Sequence, residues 1–162
     1  MPMRARGTDD GSVLVLVIGY VAIAAVLITV GVDVSKVFLA RRALASAADS
    51  AVLAAAQGID TAAIYRGGAL RCGEPLPLDP QHAADLAQRS LSDDAADLRH
   101  VFASLGPPAT TVDGGTVTVV LRGRVDVPFG RVVGWLDGSA SGGRIGVSET
   151  SHARSPVAGG LC

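Results

Sequence analysis

Positions 11–32 carry no charged side chain, and Asp33, Lys36, Arg41 and Arg42 follow at once. The stretch 13–32 is built almost wholly of Val, Leu, Ile and Ala. As an α-helix it would be about 30 Å long, the thickness of a bilayer's hydrocarbon core. Few structures accommodate such a run. A cleaved secretory signal has an apolar region of about 7 to 15 residues with a small-x-small site directly behind it. Here the run is longer, and the candidate site Ala43-Leu44-Ala45 lies beyond four charges. A buried core helix would need a domain wrapped around it that the rest of the chain is too short to supply. The run therefore predicts one retained membrane-spanning helix, with the lipid bilayer as its first partner.

Orientation is not decided by charge. Arg4, Arg6 and the amino terminus precede the run, while Lys36, Arg41 and Arg42 follow it, a near tie under the positive-inside rule. Cys72 and Cys162 are the only cysteines and have no Cys-x-x-Cys spacing, which argues against a zinc or thioredoxin-like site. An exported domain would use them as a disulfide closing a loop of about 90 residues, contributing roughly 4 to 5 kcal/mol in the chain-entropy model. Two unrelated thiols remain the alternative. The pair, and the need to export the larger part of the chain for extracellular work, favour a cytoplasmic N-terminus. The layout expected is a leader over 1–12, a span over 13–32, a helical continuation over 33–58, a linker over 59–79 and a small extracytoplasmic domain over 80–162.

Beyond the apolar run the helical pattern continues. Val34, Val37, Phe38, Leu44, Ala48, Val52 and Ala55 recur at the i, i+3/i+4 spacing of one face. No Pro or Gly interrupts 33–57, and Gly58 is a natural stop. A helix over 11–57 would be about 70 Å long. Its second half carries Ala40, Ala43, Ala47, Ala51 and Ala54, a small-residue surface that permits close approach of another helix or of the chain's own sheet. Alanines that simply favour helix in an alanine-rich chain explain the same pattern.

Gly11-Ser12, the apolar run, Asp33, then Arg41-Arg42-Ala43-Leu44 and Ala47-Ala48-Asp49-Ser50-Ala51 stand in an order that resembles the N-terminal signature of TadE/TadG-like Flp pilus-assembly proteins. The resemblance covers less than a third of the chain. It implies a pilin-like membrane protein of the tight-adherence system, in the bacterial cytoplasmic membrane, with a small domain outside and other pilin-like or Tad assembly subunits as partners. In the subset processed like pilins, a prepilin peptidase cuts after a glycine, with glutamate five residues into the mature chain. Gly11 would be the cut position and Ser12 the new N-terminus, but Leu16 stands where the glutamate would be.

The rest reads as a small α+β domain. Residues 66–80 are rich in Gly and Pro. Asp79-Pro80 reads as an N-cap and first helical residue, and Ala83, Leu86, Ala87 and Leu91 form a stripe, predicting a helix over 80–92. Asp113-Gly114-Gly115-Thr116 is a turn signal between β-branched residues, predicting a hairpin. Val117, Val119, Leu121, Val125 and Val127 alternate with polar residues, the mark of a strand with one buried face, ended by Pro128. An apolar connection over 129–136 holds the only Trp, a Gly-Ser loop covers 138–143, and a last strand runs over 144–153 with Ile145 and Val147 on one face. An antiparallel sheet of about three strands is expected.

Chemistry-bearing motifs are sparse. With a net charge of −1 and no cluster of Lys and Arg, the chain lacks the footprint of a nucleic-acid binder. His82, His100 and His152 are scattered away from metal-ligand spacing. Asp93, Asp94 and Asp97 lack the ligand spacing and turn glycine of a calcium loop, so a solvated turn or helix start is expected there. Neither a Gly-x-Ser-x-Gly elbow nor a Ser-x-x-Lys motif is present. No catalytic, cofactor or metal residues are assigned. The reading is a non-catalytic structural or assembly subunit, akin to a minor pilin or pseudopilin. The alternative is a bitopic binding module or receptor of the cell envelope.

Overall fold

The computed structural model describes residues 10–66, 72–128 and 143–157. The leader's Arg4 and Arg6, the apolar connection over 129–136 and most of the Gly-Ser loop lie outside the described residues, as does Cys162.

One helix, α1 (Asp10–Ala55), carries both the apolar run and its continuation. Its hydroxyl side chains fold back on their own backbone: Thr29 donates to the Ala25 carbonyl at 2.8 Å and Ser35 to that of Gly31 at 2.8 Å. Such back-bonding satisfies these two hydroxyls within the helix itself. At the far end the turn tightens, with Gln57 N–H donating to the Ala54 carbonyl and Gly58 N–H to that of Ala55. The helix therefore stops two residues before the expected end.

A short α2 (Thr61–Tyr65) starts on Asp60, whose carboxylate accepts from the Ala63 N–H at 2.9 Å. Next, α3 (Pro80–Asp93) begins where the Asp79-Pro80 signal placed it, Asp79 Oδ1 accepting from Gln81 N–H at 2.8 Å and His82 N–H at 3.3 Å. Ala83, Ala87 and Leu91 are buried and Leu86 is half-buried, so the predicted stripe faces the core. Asp94 ends α3 and caps α4 (Ala95–Val101), which places the acidic residues Asp93, Asp94 and Asp97 at an exposed helix junction. Sequence periodicity gave no sign of α4, because seven residues with a single buried apolar side chain, Leu98, carry no repeat.

The sheet is antiparallel and has four strands: β1 (Ser104–Leu105), β2 (Ala109–Asp113), β3 (Thr116–Asp126) and β4 (Arg144–Arg154). β4 pairs with β3 along its whole length, from Thr116 opposite Arg154 to Asp126 opposite Arg144. β2 and β1 follow each other along the opposite edge of β3, β2 against 116–120 and β1 against 123–124. The sheet is thus at most three strands wide at any point. The β2–β3 hairpin turns on Gly114 and Gly115, at φ +52° and +79°. Two positive φ values in a two-residue loop suit the strands' right-handed twist and are open to glycine at no steric cost.

On the inner sheet face Val117, Val119, Leu121 and Val125 are buried, with Val147 beside them from β4. α1 lies against β3 and β4, while α3 packs beside α1 and against β2. Ala40, Leu44, Ala47, Ala48, Ala51, Val52 and Ala55 of α1 are at most 4% exposed. Methyl side chains let the helix lie close to a sheet of Val and Leu, and each larger buried side chain contributes about 1.5 to 3 kcal/mol. The second half of α1 is therefore the spine of the domain.

Candidate functional site

The distinguishing surface is α1 itself, from its uncovered first half to the place where the domain takes hold. Between Val13 and Val32, fourteen large apolar side chains are exposed, among them Leu16 at 72% and Tyr20 at 73%. Moving that many side chains from water to an apolar phase is favourable by on the order of 20 kcal/mol, more than the whole stability of a typical small domain. The helix is long and apolar enough to cross a membrane.

The next turns carry the charge. Lys36, Arg41 and Arg42 are exposed, and Asp33 is half-buried. Val34 and Phe38 belong to the helix's apolar stripe but are 63% and 65% exposed, outside the core that buries Leu44, Ala48, Val52 and Ala55 further along. Val34, Val37 and Phe38 face Val127 and Ile145 at the end of the sheet across a groove of about 470 Å³, rimmed by Asp33 and Arg41. Further along, Ser151 on β4 donates a hydrogen bond to the Asp49 carboxylate, and Ser50 donates to Asp94 at 3.4 Å. α1 is thus tied to both the sheet and the α3–α4 junction.

Residues 11–58 match the family model of putative Flp pilus-assembly TadE/G-like proteins. No curated protein and no solved structure matches the chain. The matched segment is α1 with the turn that ends it, from the apolar run to Gly58. Together with its length and apolarity, this match suits α1 to anchoring the chain in a membrane.

The signature residues separate into two groups in space. Asp33, Arg41 and Arg42 mark the exit from the apolar run, whereas Leu44 and Ala48 are wholly buried under the sheet and Asp49 accepts from Ser151. The small-residue surface divides too. Ala40, Ala47 and Ala51 are covered by the chain's own domain, Ala43 packs at its edge, and Ala54 is half-buried. Of the two neighbours that sequence left open, the chain's own sheet lies against this half of α1, with α3 beside it.

Gly11 and Ser12 lie in the first turn of α1 and Leu16 on its exposed length. Cys72 is disulfide-bonded. The histidines do not converge: His152 Nδ1 is 2.8 Å from the Thr118 hydroxyl on the outer sheet face, while His82 and His100 are exposed on separate helices. No group of three or more metal-ligating side chains occurs among the described residues. Sequence reasoning missed Ser151, because one serine in a polar strand has no distinguishing spacing. It also missed the groove, whose walls, Phe38 and Ile145, are more than a hundred residues apart.

Proposed function

We propose that the protein is a non-catalytic structural or assembly subunit, akin to a minor pilin or pseudopilin, of a Tad-type pilus or secretion apparatus. The observation that carries this reading is that the family match coincides with one unbroken helix serving two purposes. Its first half presents apolar side chains on every side, and its second half is the spine of a small domain. In this reading the exposed first half packs laterally against other membrane helices of the apparatus, the N-terminus is cytoplasmic, and the domain is displayed outside the membrane. Cys72 pairs with Cys162, and no cofactor takes part.

The test is a cysteine scan across 13–32 of the full chain in its native membranes under mild oxidation. Crosslinks to a second copy or to another membrane subunit are expected at positions repeating every three to four residues, and none at Ala47→Cys or Ala51→Cys. Absence of crosslinks throughout the span, together with full function after 13–32 is replaced by an unrelated apolar sequence, would instead support the bitopic binding module.

A further inference from the structure

The groove where α1 leaves its apolar run is lined mainly by apolar side chains. Val34, Val37 and Phe38 form one wall and Val127 and Ile145 the other, with Arg41 at the rim. Phe38, Val34 and Ile145 are 65%, 63% and 42% exposed, although each belongs to the stripe or strand face that is buried further along. In water such a patch is unfavourable.

We propose that this end of the domain is seated on the anionic headgroup surface of the same bilayer that α1 crosses, rather than held clear of it. The inference rests on reading α1 as a membrane span. Depth is the first argument. Phe38 is six residues past Val32, about 9 Å along the helix axis, and a headgroup layer is about 5 to 7 Å thick. Helical side chains lean towards the N-terminus, so the Phe38 ring points back to the membrane and bridges that difference. Polarity along the fold agrees. β4 passes Val34 and Phe38 at Ile145, near its start, and reaches Asp49 at Ser151, near its end, so it runs away from the apolar run and leaves the groove at the end nearest that run.

Charge is the second argument. Among the described residues, Lys36 and Arg41 of α1 and Arg144 at the start of β4 stand at this end against the carboxylates of Asp33 and Asp126, with Arg144 paired to Asp126 at 3.2 Å. Basic side chains with apolar stems suit the boundary between phosphate and acyl chain, where each is attracted to an anionic surface. The groove adjoins the exposed apolar length of α1, which favours lipid as its occupant.

The full chain, carrying benzoylphenylalanine at position 38, 145 or 150, is reconstituted in phosphatidylcholine vesicles with and without phosphatidylglycerol, and irradiated. Phospholipid adducts are expected at 38 and 145 and not at the exposed position 150, with yields at least about threefold higher in the anionic vesicles. Phe38→Asp, at a position too exposed to disturb the core, is expected to halve the adducts at 145 or better. Adducts to a second copy of the chain at 145, or no lipid adduct there in protein that floats with the vesicles, would overturn the proposal. Protein that fails to float with vesicles would overturn the membrane-span reading itself, a separate outcome.

Discussion

Phe102 and Gly123 form a pair whose energetics follow from one short approach. Gly123 lies on the inner face of β3, between Leu121 and Val125, where the alternation calls for an apolar side chain. The Phe102 ring fills that place: a Cβ on Gly123 would come 2.6 Å from Phe102 Cδ1 and 2.9 Å from Cε1. Phe102 is 5% exposed, and the residues after it are held to β3 on either side of Gly123, Ala103 N–H donating to the Arg124 carbonyl at 2.9 Å and Gly106 N–H to that of Arg122 at 2.8 Å. Phe102→Ala should therefore cost about 3 to 5 kcal/mol, the range for deleting a buried ring. Gly123→Ala should cost about 1 to 3 kcal/mol by overpacking, reduced by roughly 0.5 to 1 kcal/mol because alanine is the better strand residue. In the double variant the new methyl enters the space the ring has left. It should be no less stable than Phe102→Ala alone, which gives a coupling of about 1 to 3 kcal/mol. Urea and thermal unfolding of the full chain in detergent micelles, followed by circular dichroism, would measure the cycle. For a domain of this size each 1 kcal/mol shifts Tm by about 4 to 8 °C. Strictly additive effects would refute the account.

Asp79→Ala removes the acceptor of two backbone N–H groups at the start of α3 and should cost about 1 kcal/mol in the same unfolding assay, with Asp79→Asn losing less. Ala51→Leu should destabilise by about 1 to 3 kcal/mol because its methyl is fully buried against the domain, whereas Leu53→Ala, at a position 61% exposed, should stay within about 0.5 kcal/mol in micelles. Cys72 should resist a thiol-specific maleimide until reductant is added; full labelling without reductant would contradict its bonded state. With Leu16 in place of the glutamate of processed pilins, intact-mass analysis of membrane-extracted protein should show no chain beginning at Ser12, and finding one would establish cleavage after Gly11.

Local signals were legible wherever one strong physical rule governed the segment. Asp79-Pro80 marked the start of α3, the Gly114-Gly115 pair marked the hairpin, and the alternation from Val117 to Val127 marked the buried face of β3. Elements without such a rule were not legible. The two-residue β1 pairs at the edge of β3, Ser104 and Leu105 opposite Arg124 and Gly123, and α4 ends at Phe102, whose ring packs on Gly123. Segment 72–79 read as linker, yet it is tied down by bridges of Ile59 to Leu78 and Pro75 to Val157, and by Ser155 Oγ donating to the Leu76 carbonyl at 2.8 Å. These contacts join residues up to about eighty positions apart and leave no trace in local composition.

The apolar run, its length and its continuation as helix were determined by sequence alone, since both a bilayer's thickness and the helical repeat are periodicities that a linear chain records. Which neighbour the alanines of α1 serve was decided only by tertiary structure. A row of methyl groups permits close approach without naming the partner, and the folded chain covers Ala40, Ala47 and Ala51 with its own sheet and α3. The same folding brings Ile145 beside Phe38, making an apolar groove from residues that no spacing relates.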